Sequence, residues 1–168
     1  IMGLNNEFIS SGKLDDLSMV HSGIKALSES SPGNATNVMV CFDNEEVGST
    51  TKQGAHSTLL SSILERIVIS DKGTREDYFR ALSNSFMISC DSAHAMHPNY
   101  IEKADLVNRP LLNKGPVIKL SASQSYATDS ISSSVYEMIC KSVEVPVQKF
   151  VNRSDERGGS TIGPICSV

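Results

Sequence analysis

Leu17, Val20, Ile24 and Leu27 recur at the three- and four-residue spacing that lines one face of an α-helix. Asp15 or Asp16 stands where a carboxylate accepts the free N–H groups at the start of that helix. Residues 37–42 follow as an apolar run with β-branched members, short enough for a fully buried parallel strand. A second stripe of Leu59, Leu60, Ile63, Leu64, Ile67 and Val68 predicts a helix beginning near Gly54. Residues 74–82 read as a third helix, with Thr74 and Asp77 spaced as a capping box. Residues 86–90 read as another buried strand, ending at Asp91.

The polar segment 99–115 holds Pro110 and reads as loop. A strand is expected over 117–120, after the Gly115-Pro116 turn. Ile131, Val135, Met138 and Ile139 predict a fourth helix, capped by Thr128 or Asp129. Residues 145–151 read as a last strand, and Pro146 argues for an edge or a strand start. Arg157-Gly158-Gly159-Ser160-Thr161 reads as a flexible turn. Strands alternating with helices predict an α/β fold, with a mostly parallel central sheet flanked by helices.

Composition narrows the function classes. A chain of 168 residues can bury the core of one domain. A net charge of -4 and the lack of a Lys/Arg tract argue against nucleic acid. No apolar stretch is long enough to span a bilayer, so no membrane partner is expected. Cys41, Cys90, Cys140 and Cys166 lack metal-type spacing. The first three lie in apolar patterns and read as reduced, buried thiols of a cytoplasmic protein without a disulfide framework. The chain opens Ile1-Met2-Gly3-Leu4 and closes Ile165-Cys166-Ser167-Val168, as a piece of something longer would.

The chemistry concentrates at Asp43-Asn44-Glu45-Glu46-Val47-Gly48-Ser49. Adjacent carboxylates after a buried strand are costly unless paired or metal-bound. Neighbours on an extended chain point to opposite sides, so one glutamate can ligate a metal while the other faces substrate as a base. Asp15 and Asp91 also stand at element ends, where open α/β sheets collect functional groups. Carboxylates gathered there can hold two divalent metals. Plainer readings compete: Asp15 as a helix cap, Asp91 as a solvated strand end, Glu45-Glu46 as a charged turn. His94 and His97 can meet on one helical turn, although such a pair is more often structural. Ser49 lacks the Gly-x-Ser-x-Gly setting of a nucleophile.

Taken in order, Phe42 to Ser49, Asp91 to Tyr100, Arg109-Pro110, Lys114 to Lys119 and Gly159 to Pro164 resemble the aspartyl aminopeptidase family, which includes vacuolar aminopeptidase I. The resemblance implies a zinc-aminopeptidase catalytic domain that removes N-terminal residues, often Asp or Glu, from peptides. It implies two divalent metal ions, zinc first, with cobalt and manganese also suited to the ligands. By matching motif, Asp15 resembles the bridging aspartate, Glu46 and Asp91 ligands of one metal each, and Glu45 the general base. His94 and Lys114 match positions lining the pocket for the substrate's first side chain. Gly159, Ser160 and Thr161 match a loop near the substrate. The resemblance further implies a histidine ligand on either side of residues 1–168, an inserted oligomerisation domain before Ile1, and a tetrahedral dodecamer.

On this reading the 168 residues are one partial catalytic domain, inactive alone. Asp16 stands where the family commonly has Asn, and Arg157-Gly158 where it often has Pro-Cys. Two other functions fit the same residues. One is a related tetrahedral aminopeptidase of different specificity, and the other a non-catalytic scaffold or cargo-binding homologue.

Overall fold

A computed structural model describes residues 1–45, 47, 50–121, 126–153 and 155. Its elements run α1 (Leu14–Glu29), α2 (Leu59–Ser70), α3 (Arg75–Ser83), a short 3-10 turn (Ile101–Lys103), β1 (Val117–Leu120), α4 (Ser130–Ser142) and β2 (Gln148–Val151). They fall into two compact units. The first holds Ile1–Cys41 and Ile88–Ala93, the second Phe42–Met87 and His94–Val168. No helix among the described residues is long and apolar enough to cross a membrane.

In the first unit, Asp15 and Asp16 have non-helical dihedrals, so the regular turns of α1 follow them. The peptide between the two aspartates is cis. A Cβ at Gly23 would lie 2.6 Å from the sulfur of Met39, which shows how closely α1 meets the 37–41 run there. That run and 86–90 form no ladder, contrary to the strands expected of them. Apolar sequence favours extended backbone, but a strand exists only by pairing with a neighbour, and neither run has one among the described residues. Both are also open to solvent: Val38 is 47% and Ile88 51% exposed. Cys41 and Cys90 share that exposure, so of the three described thiols only Cys140 is buried as expected; all three are free.

The second unit contains a two-stranded parallel sheet, with Val117 opposite Gln148 and Leu120 opposite Val151. Parallel strands need a crossover, and α4 supplies it. Asp129 caps α4 through a capping box with Ser132. Lys149 on β2 pairs with Glu137 on α4 at 3.2 Å. Alternation along the strand puts Gln148 and Phe150 on the other face.

Helices α2 and α3 form a hairpin tied by Arg75 and Glu65 at 3.2 Å, with Leu60 and Tyr78 buried. Thr74 and Asp77 make the expected capping box. Helix α2 starts at Leu59 rather than near Gly54, because Gly54 and Ser57 are used in successive turns: Gly54 N–H donates to the Thr51 carbonyl (3.1 Å) and Ser57 N–H to the Gly54 carbonyl (3.0 Å).

Both α2 and α4 end in a Schellman motif. Gly73 N–H reaches the Val68 carbonyl at 2.9 Å, and Val145 N–H the Cys140 carbonyl at 2.9 Å. Lys72 (φ 65°) and Glu144 (φ 59°) take the left-handed position that glycine usually fills.

Candidate active site

Three carboxylates converge in the first unit. One oxygen each from Asp15, Asp16 and Asp91 lies within 4.8 Å of the other two. Asp15 and Asp16 precede the regular turns of α1, and Asp91 ends the extended run 86–90. All three are exposed, so each pair repels by only about 1 kcal/mol in water. A divalent cation would convert that repulsion into attraction, and oxygen donors at this spacing suit one. Nitrogen ligands would raise selectivity for zinc.

Neighbouring Cys90 is not among the converging ligand atoms. Lost hydration, and secondarily the charge of Asp16, push its thiol above the ordinary range even though the residue is exposed. Asp16 is the member that sequence reasoning missed. Its adjacency to Asp15 was the available signal.

Glu45 lies in the second unit, on an exposed turn. Asn44 shapes the turn. Its backbone is left-handed (φ 65°), as Asn tolerates, and its N–H donates to Asp43 Oδ1 at 2.9 Å. The Asn44 amide Nδ2 reaches Thr51 Oγ1 and Gln53 Oε1, each at 3.3 Å. Glu46, Gly159, Ser160 and Thr161 lie outside the described residues.

His94 and Lys114 occupy the second unit as well. The His94 ring meets Phe150 of β2 edge-on, with centroids 5.1 Å apart and planes at 88°. The segment around it is coil rather than a helical turn. His97 instead meets the Tyr100 ring at a tilt of 45°, with centroids 5.0 Å apart, and its Nδ1 accepts from Asn99 N–H at 3.1 Å. Lys114 is exposed, not buried as a pocket ammonium would be.

The turn carrying Lys114 is firmly built. Gln148 Oε1 accepts from Leu111 N–H at 2.8 Å, and its Nε2 donates to the Leu111 and Gly115 carbonyls at 3.1 Å each. Upstream, Asp105 Oδ1 accepts from the N–H groups of Asn108 (2.6 Å) and Val107 (3.0 Å). Those bonds, Asn108 first, hold its carboxyl below the usual range. The Pro110 carbonyl then accepts from Met96 N–H at 2.8 Å, joining this loop to the His94 run.

The family model described as aminopeptidase I zinc metalloprotease (M18) matches residues 1–168. The chain belongs to the M18 aminopeptidase family. It is 66% identical over 168 residues to the probable M18 family aminopeptidase 2 of Clostridium novyi (strain NT), covering 100% of this chain and 39% of that protein. A solved structure of the Ape4 and Nbr1 complex matches 99% of this chain and 33% of its own at 40% identity, with a TM-score of 0.85. The S. cerevisiae mApe1 dodecamer matches 98% of this chain and 37% of its own at 28% identity, with a TM-score of 0.80. The chain therefore spans well under half the length of these M18 proteins. The family description supplies zinc, and the Asp15, Asp16 and Asp91 oxygens are a donor set compatible with it.

Proposed function

We propose that the protein containing this chain is a two-metal M18 aminopeptidase that removes N-terminal residues, with a preference for Asp and Glu. The convergence of Asp15 and Asp91 carries the reading, because these sequence-distant carboxylates, at positions resembling the family's ligands, lie with Asp16 within 4.8 Å of one another. Asp15, Glu46 and Asp91 would hold the metals, completed by histidines outside residues 1–168. Bound zinc supplies Lewis-acid polarisation of the scissile carbonyl and lowers the pKa of water. The Glu45 carboxylate takes a proton from the attacking water and delivers it to the departing amine.

Lys114 would attract a substrate carboxylate, and His94 would line the same pocket. The loop of Gly159, Ser160 and Thr161 would border the substrate. The fold would be the mostly parallel sheet flanked by helices, of which β1, α4 and β2 are one unit. A homododecamer accords with the likeness to the mApe1 dodecamer, and a cytoplasmic location with the free thiols.

The test is hydrolysis of Asp-, Glu- and Leu-terminated chromogenic substrates by the full-length protein, with and without chelator. Chelator-sensitive activity strongest on Asp or Glu supports the reading. Activity confined to Leu removes the acidic pocket, and inactivity under every added metal removes the enzyme.

A further inference from the structure

We infer that Gln148 is a positioning residue for substrate selection, holding the Lys114 turn and setting its register against His94. The inference rests on the reading of Lys114 as the group that recognises an acidic first residue. A glutamine amide offers two N–H donors and one carbonyl acceptor. Gln148 uses all of them on the backbone of one short turn, at Leu111 N–H (2.8 Å), Leu111 O (3.1 Å) and Gly115 O (3.1 Å). Its own N–H donates to the Pro116 carbonyl at 2.9 Å, fixing β2 beside the far end of that turn. Lys114 is thus enclosed between two clamped residues. The clamp at Gly115 is tightened by the Pro146 carbonyl, which lies where a Cβ would stand 1.9 Å away.

The same strand also holds His94. Phe150 lies two residues beyond Gln148 and therefore on the same face of β2, and its ring takes the edge of His94. The Pro110 carbonyl, adjacent to Leu111, binds Met96 N–H at 2.8 Å, two residues beyond His94. Two independent links therefore fix the Lys114 turn against the His94 run, and Gln148 makes the one that brackets Lys114, at Leu111 and Gly115. Leu111, Leu112, Asn113, Lys114 and Gly115 are all exposed, so the clamp adds little to a core. What it fixes is where an ammonium stands.

The test uses the full-length protein with Gln148→Leu, and Gln148→Met, of matching length, where Leu does not fold. KM for an Asp-terminated substrate should rise roughly fivefold, as the loss of about one net hydrogen bond implies. The kcat, the KM for a Leu-terminated substrate and the bound zinc should stay unchanged. Hydrogen exchange at the Leu111 amide should accelerate. Combined with Lys114→Ala, the Gln148 variant should add no further loss on the Asp substrate, because both act through one contact.

Equal losses on both substrates, or full additivity with Lys114→Ala, would overturn the positioning role. A selective Lys114→Ala beside a neutral Gln148→Leu overturns the Gln148 role alone. If Lys114→Ala weakens both substrates equally, the acidic-pocket reading falls and this inference with it.

Discussion

The carboxylates of Asp15 and Asp91 lie within 4.8 Å of each other, although the regular turns of α1 and the second unit's helical hairpin separate them in sequence. Two exposed carboxylates this close repel weakly in water, and a shared divalent cation would turn that repulsion into attraction. Asp91→Asn in the full-length protein should therefore weaken zinc binding by more than about tenfold, the least that loss of even an outer-shell partner costs. Asp16→Asn should cost less, since Asp15, Glu46 and Asp91 are the proposed ligands and Asp16 only adjoins them. Metal content after dialysis against buffered zinc checks both. Equal retention of zinc in the two variants would remove the cluster from the metal site.

Glu45 should separate from the ligands on activity. Glu45→Gln keeps the size of the side chain and removes its capacity to hold a proton. The full-length variant should lose about 10²–10⁴-fold in kcat, the usual contribution of general acid–base catalysis, and should keep its zinc. Measuring kcat and metal content on the same preparation checks this. Joint loss of both would make Glu45 a ligand instead.

The fold was legible in the sequence where the signal is local; of the candidate site, the sequence singled out Asp15 and Asp91, while the approach of Asp91 to Asp15 and Asp16 has no local signal. The boxes at Thr74–Asp77 and Asp129–Ser132 each lie within a few residues, and both are in place; Asp129 was foreseen, its partner Ser132 was not. The strands at 117–120 and within 145–151 are present, the latter shortened because Pro146 precedes it. Residues 37–42 and 86–90 misled because apolar content reports a tendency to extend, while pairing and burial depend on neighbours. The stripe Leu17, Val20, Ile24 and Leu27 carries the same lesson: its period is helical, yet every member but the half-buried Val20 is exposed. Gln148 gave no signal at all, since a clamp between residues 111 and 148 has no periodicity. Lys72 and Glu144 hid two helix ends because the residue looked for there is glycine.

Glu144 invites the reverse experiment. It holds φ 59° at the end of α4, a conformation that costs a non-glycine residue about 1–2 kcal/mol. Glu144→Gly relieves that cost but loosens the unfolded chain, so the net gain should be at most about 1 kcal/mol. A higher denaturant midpoint with unchanged slope would register it.

Gly115→Ala should do the opposite, and should reach function. Its φ of 90° is unfavourable to any side chain, and the new Cβ would meet the Pro146 carbonyl at 1.9 Å. The backbone alone costs about 1–2 kcal/mol, and relief of the clash must displace the turn that carries Lys114. Lower thermal stability together with a higher KM for Asp-terminated substrates is expected. A purely thermal effect would detach the turn from recognition.

The caps of α3 and α4 predict the acid limb of stability. The Thr74 hydroxyl, and then its backbone N–H, hold the Asp77 carboxyl below its ordinary 3.8; the Ser132 hydroxyl and N–H do the same for Asp129. A carboxyl whose folded value is depressed stabilises the protein fully above its unfolded value. That contribution is lost as pH falls through the lower folded value. Neither cap should therefore make stability vary above about pH 5, and both should weaken below 3.8. Thr74→Ala should cost about 1 kcal/mol near neutrality by removing the hydroxyl that accepts from Asp77 N–H at 3.2 Å. It should also flatten the acid limb, because Asp77 loses the bond that chiefly depresses it. Denaturant midpoints between pH 3 and pH 7 in roughly half-unit steps would decide the matter. A Thr74→Ala protein whose acid limb runs parallel to the original would show that the Asp77 cap does not govern it.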